Sequence, residues 1–287
     1  MKDDEQGKRR QSSPAAPLGA ARRVFDREIV PRVMTRVSPV VAALRPPSRA
    51  HLAIERMEVD FVLSRLGGRS NLRVVDIGAH HGELLDILYL HPDRPMCDVI
   101  CAEPEHSNLR VIRTRLPFYR RFHVLLRPVG VSDTSGTRTF FTASETTLFT
   151  CTPEWKSAFP DAFRATAEVD VHCLTFSDLL QSCGVAPTTR IDFVKVDTEG
   201  HDLNVIRSIV QSRVLVDAVM FEIGLDDEAA ECACELLDAH GFDEIYIFAR
   251  VGATTTYVGD RRSSGDLDDL RECGKLSAGN IVAFRRE

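Results

Sequence analysis

The chain has 287 residues, 44% apolar and 27% charged. That is an ordinary balance for a globular protein long enough to bury a sizeable core. A formal charge of −6 excludes a long phosphate-tracking surface over the chain as a whole. No window approaches the roughly 18 apolar residues of a membrane-spanning helix, and the charged N-terminus lacks the apolar centre of a signal peptide.

Charge is unevenly spread. Residues 1 to 50 hold eleven Lys or Arg against five Asp or Glu, a net +6, which leaves −12 for the remainder. This basic arm, residues 1–49, opens with a polar stretch containing Ser-Ser-Pro and Ala-Ala-Pro, whose composition predicts disorder. Residues 20–44 mix Arg with Val, Ile, Met and Leu. They read as an amphipathic helix interrupted at Pro31 and Pro39, packed on the domain edge or resting on a membrane surface. Pro46-Pro47 ends the arm, and a single domain follows over 50–287.

The helical spacing of apolar residues predicts a helix over 50–66. Beyond it, short apolar runs alternate with helical stretches. The runs are 73–77, 98–102, 123–131, 191–196, 216–223, 244–248 and 280–284. The helices fall near 83–90, 105–116, 175–183, 201–211 and 227–240. Such alternation predicts an α/β fold with a seven-stranded, mostly parallel sheet and helices on both faces. Residues 134–170, which hold the only tryptophan, Trp155, break the rhythm and read as an insertion serving as a lid or specificity element. Eight cysteines at 97, 101, 151, 173, 183, 232, 234 and 273 show no CxxC pair and no zinc spacing. They read as reduced thiols of a cytosolic protein.

Three clusters carry the chemistry. The first is "RVVDIGAHHGE", residues 73–83, where a strand delivers Asp76 to a turn containing Gly78 and Gly82 before a helix. Glycine allows a sharp turn and close approach of a ligand to the backbone, and the helix start offers free N–H groups. The spacing departs from the GxGxxG of dinucleotide sites. The second cluster is Glu103-Pro104 at the tip of the next strand, about 20 residues on, where an acid can accept hydrogen bonds from both ribose hydroxyls. A plain exposed strand-end carboxylate is the alternative. The third is "IDFVKVDTEGHD", residues 191–202. Lysine and acids in a buried strand are costly unless paired or functional, so Lys195 is expected to pair while Asp197 and Glu199 face the site. His201 at the following helix start is a candidate general base, its imidazole kept neutral by the helix dipole; a packing or capping histidine is the alternative. Asp197 is the second candidate base.

Together with "VICAEPEHSNL", "VGVSD", "LTFSDLL" and "NIVAFRR", these segments resemble the FkbM family of S-adenosylmethionine-dependent methyltransferases over roughly residues 70–285. The resemblance implies a Rossmann-like class I methyltransferase fold that uses S-adenosylmethionine. It places Asp76, Gly78 and Gly82 around the methionine part, with His80 as a wall residue, and Glu103 beside Pro104 on the ribose. It places Ser132 and Asp133 near the adenine, and Asp197, Glu199 and His201 beside the methyl group and the acceptor. The implied reaction is O-methylation of a sugar, glycolipid or secondary metabolite. The family more often has a small or amide residue where His80-His81 stand. As adjacent residues on a turn, these two are expected to point apart, and no metal is assigned. Asp197 with Glu222 is the alternative magnesium pair. The acceptor partner is expected to be a small molecule or glycan, not nucleic acid. Rival readings are an NAD-dependent oxidoreductase and an inactive nucleoside-binding partner module. The first lacks the third glycine and a Tyr-x-x-x-Lys pair; the second conflicts with the intact acidic set.

Overall fold

A computed structural model describes residues 49–142, 149–152, 157, 167–223, 227–251, 254–260 and 279–285. The arm before residue 49, Trp155 and Cys273 lie outside the described residues. In chain order the elements are α1 (Arg49–Arg65), β1 (Asn71–Ile77), α2 (Glu83–Leu90), β2 (Met96–Ala102), α3 (His106–Arg115), β3 (Phe122–Arg127), β4 (Gly130–Val131), β5 (Gly136–Thr142) and β6 (Phe149–Thr150). They continue with β7 (Glu168–Leu174), α4 (Phe176–Ser182), β8 (Ile191–Val196), α5 (Asp202–Gln211), β9 (Val216–Ile223), α6 (Asp227–Ala239), β10 (Glu244–Val251), β11 (Thr254–Asp260) and β12 (Gly279–Phe284).

The main sheet runs β11-β10-β12-β9-β8-β1-β2-β3. Pairings from β3 to β9 are parallel, and β12 is inserted antiparallel between β9 and β10. The expected seven strands are therefore present in a Rossmann-like arrangement. An eighth, β11, folds back on β10 at the edge.

Alternation along the strands divides the apolar side chains between two faces. Val75, Ile77, Val194, Val196, Val219 and Phe221 pack toward α4, α5 and α6. Val74, Phe193, Ala218 and Met220 pack toward α1 and α2. The result is a three-layer sandwich whose central strand β8 is buried along its whole length.

One sequence-predicted strand splits. The run 123–131 becomes β3 in the main sheet and β4 in a second sheet of order β4-β7-β5-β6. Pro128 stands between them, and without an N–H it cannot continue the β3 ladder. The described parts of the 134–170 insertion build most of this second sheet.

Helix α1 is anchored by aromatic packing. Phe61 meets Tyr246, Phe248 and Phe284 edge-on at 5.0, 5.3 and 5.9 Å between ring centres. Such pairs add specific geometry to apolar burial, and they fix where the preceding turns of α1 lie. Its buried positions are Glu55, Glu58, Val59, Val62 and Leu63, the i, i+3, i+4, i+7 stripe of a core-facing helix. Two acids occupy the start of that stripe.

At the opposite end of the sheet, Asp217 holds Arg69 at 2.5 Å and Arg190 at 2.6 Å, and Arg69 also contacts Asp192. This network ties the starts of β8 and β9 to the turn before β1. Phe193, fully buried in β8, tests the packing. Phe193→Ala is expected to lose about 3–5 kcal/mol, read as a lower urea midpoint at unchanged slope.

Candidate functional site

Beyond the C-terminal ends of β1, β2 and β8 lies a cavity of about 330 Å³. Its position follows the rule for open parallel sheets, in which ligands bind past the strand tips. Asp76, Gly78, His80, Glu103, Pro104, Asp197, Glu199 and His201 all line it. Gly82, Ser132 and Asp133 do not belong to the wall.

Two strand-end turns press together at its floor. Asp197 N–H donates to the Ile77 carbonyl at 2.9 Å, and Gly78 N–H donates to Ala102 at 2.9 Å. Gly78 has φ +79°, and a Cβ there would lie 1.8 Å from the Asp197 carbonyl oxygen. Only glycine fits. Gly82, at φ +85°, instead turns the chain into α2.

Glu103 is buried at the tip of β2. Its carboxylate accepts from His80 N–H and Glu105 N–H, both at 2.8 Å, with the Asn108 amide at 3.4 Å. Burial pushes its pKa up to about 7 against the pull of these donors. The helix after it begins at His106. Glu105 is extended and caps α3 by accepting from Ser107 N–H.

Lys195 does pair, as expected. Its Nζ lies 2.9 Å from Asp197 Oδ2 and 3.4 Å from Glu55 Oε1, and its register partner on β1 is Asp76. Burial pulls its pKa down, but Asp197, Glu55 and Asp76 outweigh burial and hold the ammonium charged. Asp76 rises to about 7, chiefly through burial, and its Oδ1 is buried without a hydrogen-bond partner.

Lys195 and Asp197, two residues apart, point the same way and touch. β8 ends at Val196, and Glu199 stands in a left-handed conformation at φ +52°. Burial, with Asp197, Glu222 and Asp202 nearby, raises the Glu199 pKa to about 10, so it holds its proton at neutral pH. Thr150 of the second sheet donates to the Glu199 carbonyl at 2.8 Å and helps fix this turn.

His201 is buried. Its Nδ1 accepts from the Asn204 amide at 3.0 Å, so its proton sits on Nε2, which faces Ser132 Oγ at 2.9 Å. Burial lowers its pKa to about 4, with Arg138 acting in the same sense. The ring is therefore neutral, with its lone pair engaged. Ser132 and Asp133 connect it to the second sheet: Ser132 Oγ donates to Asp133 at 3.0 Å, and Arg138 pairs with Asp133 at 2.9 Å.

His80 and His81 do not point apart. Their rings face each other at 3.7 Å between centres, tilted by 31°. His80 adopts φ +43°, and that twist turns its ring back over its neighbour. His80 Nδ1 lies 3.0 Å from Glu83 Oε1, and His81 N–H donates to Glu83 Oε2 at 3.1 Å.

Several wall residues were not foreseen. Glu55 reaches the cavity from α1, Glu83 from α2, Asn108 from α3, Phe140 from β5 and Asn280 from β12. Asn280 pairs in register with Glu222 and bonds Glu58. The signal for Glu55 and Glu58 was in the sequence, as two acids on the apolar stripe of the 50–66 helix. Among the described residues, carboxylates from seven positions line the cavity against one lysine.

This fold and cavity define a class I methyltransferase scaffold. A model of the methyltransferase FkbM domain matches residues 76–274, and the chain belongs to that family. Similar solved structures include a methyltransferase FkbM from Methylobacillus flagellatus KT, 13% identical with TM-score 0.44, covering 75% of this chain and 44% of that one. This chain thus spans less than half the length of that relative. A precorrin-6y C5,15-methyltransferase from Geobacter metallireducens GS-15 is 13% identical, TM-score 0.39, with 79% and 87% covered. The METTL16 MTase domain is 11% identical, TM-score 0.46, with 82% and 69% covered. No curated protein matches the chain. Among the described residues no helix is long and apolar enough to cross a membrane, and the seven described cysteines are all free.

Two outcomes check the site. Gly78→Ala is expected to lower the melting temperature, through both backbone strain of about 1–3 kcal/mol and the clash with Asp197. Asp202 is buried at the start of α5, and burial, with Asp197, raises its pKa to about 7. The fold keeps a proton there that the unfolded chain has lost, so this group costs more stability as pH rises from about 4 to about 7. Asp202→Asn should therefore gain stability over the parent across that window, by at most about 1.4 kcal/mol per pH unit, levelling above it. Denaturant unfolding at several pH values measures the gap.

Proposed function

We propose that this protein transfers a methyl group from S-adenosylmethionine to a hydroxyl of a sugar, glycolipid or secondary metabolite, in the cytosol. The observation that carries the reading is the buried Glu103 carboxylate beside the Gly78 turn. Its two oxygens accept one backbone N–H each, and Oε1 also takes the Asn108 amide at 3.4 Å; Oε2 keeps a lone pair for one ribose hydroxyl, and the long Asn108 contact can yield to the other. Asp76 Oδ1, buried and unpartnered, fits the ammonium of a methionine moiety. Gly78 leaves no side chain between that moiety and the backbone. The carboxylate-rich wall suits a sulfonium cation and a neutral, hydroxylated acceptor, and disfavours an anionic one.

Bound S-adenosylmethionine supplies an electrophilic methyl that must meet the acceptor oxygen in line with the leaving sulfur. The protein's part is to orient the acceptor and take its proton. Asp197 is the better base, because the His201 lone pair is engaged by Asn204. Lys195, 2.9 Å from Asp197, holds the carboxylate in place. Glu199, protonated at neutral pH, can donate a hydrogen bond to the acceptor. His201 then serves as a positioning residue, bridging α5 to Ser132. No step here depends on a metal at Asp197 and Glu222.

Calorimetric titration with S-adenosylmethionine, S-adenosylhomocysteine and NAD tests the reading, on the parent and Glu103→Ala. Both sulfur nucleosides are expected to bind in the micromolar range and to weaken at least about tenfold in the variant, a loss of about 1.4 kcal/mol. Binding of NAD alone would make the protein an oxidoreductase. Binding of none of the three would make it a partner module.

A further inference from the structure

We propose that His80, His81 and Glu83 form a binding site for a transition-metal ion of the zinc class, set in the wall of the cavity. Each residue offers one ligand atom, and these atoms all lie within 4.8 Å of one another. Two neutral imidazoles and a carboxylate form a common three-ligand set for zinc, one that leaves a coordination position open. His80 Nδ1 and Glu83 Oε1 stand 3.0 Å apart, close to the separation of two atoms sharing an ion at about 2.0–2.2 Å each.

The site is built rather than assembled by chance on a surface. Glu83 is buried, and its second oxygen is fixed by His81 N–H. The His80 backbone is held in its left-handed conformation by a hydrogen bond from its N–H to Glu103. His80 Nε2 is buried and has no hydrogen-bond partner, so the ring is committed to the protein only through the atom that faces Glu83. The two rings already share one side of the loop, at 3.7 Å between centres. Binding needs no chain movement beyond adjusting ring angles and losing the proton between His80 and Glu83, which passes to solvent.

His80 and Glu83 line the cavity, so an ion held there stands at its wall. Its open position is available to water or to a donor atom of whatever the cavity holds. The site is distinct from the Asp197–Glu222 pair in location and in ligand chemistry, since imidazoles select zinc-class ions and carboxylates alone suit magnesium.

Titration of the full chain with Zn²⁺ alone tests this, in the parent, His81→Ala and the double variant His80→Asn with His81→Asn. Circular dichroism confirms that each is folded. The expected result is one tight equivalent in the parent. Changes outside a ligand set already cost about 10–100-fold in metal affinity, so each variant should weaken binding by at least that much. Replacing zinc with Co²⁺ should give weak visible bands without an intense sulfur charge-transfer band. The proposal is overturned by the absence of a tight equivalent, by binding unchanged in the double variant, or by a sulfur band that assigns the ion to cysteines. The readout is metal binding, so failure here leaves the methyltransferase reading untouched.

Discussion

The close approach of Gly78 to the Asp197 carbonyl is the contact on which the site depends. Two parallel neighbours, β1 and β8, end side by side, and their following turns must diverge or touch. They touch because residue 78 carries no side chain and adopts φ +79°, and because Asp197 N–H bonds back to Ile77. Everything catalytic in the proposal sits on one turn or the other. The first carries His80 and Glu83, and reaches Glu103 through the His80 N–H. The second carries Asp197, Glu199 and His201. A side chain at 78 would separate the two turns and the groups they bear.

Buried charge is the second constraint, and it explains the reach of α1. Lys195 in a fully buried strand would be prohibitive alone. Asp76 beside it and Asp197 just past the end of its own strand offset part of that cost, and Glu55 closes the set from a helix more than a hundred residues earlier in sequence. The aromatic contacts of Phe61 with β10 and β12 hold that helix in register. A buried ion group of this kind contributes little net stability. Its value lies in fixing the orientation of the carboxylates over the cavity. Burial, with neighbouring acids adding to it at Asp76, Glu199 and Asp202, leaves several acids with raised pKa values, the usual sign of a site organised for chemistry or for binding a cation.

The second sheet joins the site through polar contacts. Thr150 bonds the Glu199 carbonyl, and Ser132 meets His201. Phe140 adds an apolar patch to the wall. On the proposed reading, acceptor selectivity lies with this sheet and the cofactor with the turns of the main sheet.

Much of this was legible without coordinates. Seven of the eight main-sheet strands and six helices emerged within a few residues of their observed bounds, because period 2 and period 3.6 are local properties and the strands lie inside two cores. Gly78, Glu103 and Lys195 were legible because a glycine, a strand-end acid and a buried lysine each break a local rule. The split of residues 123–131 was signalled by Pro128 and missed. The second sheet was missed because its strands are short, half-exposed and paired across a long interval. The stacking of His80 on His81 depends on one positive φ, which no residue pattern announces in a histidine. The role of His201 turned on Asn204 and Ser132, brought to it by a helix turn and a distant strand end. The sequence by itself determined most main-sheet strands and helices, the glycine-turn and strand-end-acid motifs and the family, since those rest on local spacing. Only the tertiary structure decided which acids meet Lys195, which partner each nitrogen of His201 takes and which two rings face each other. Those are distances between segments far apart in the chain, and spacing does not encode them.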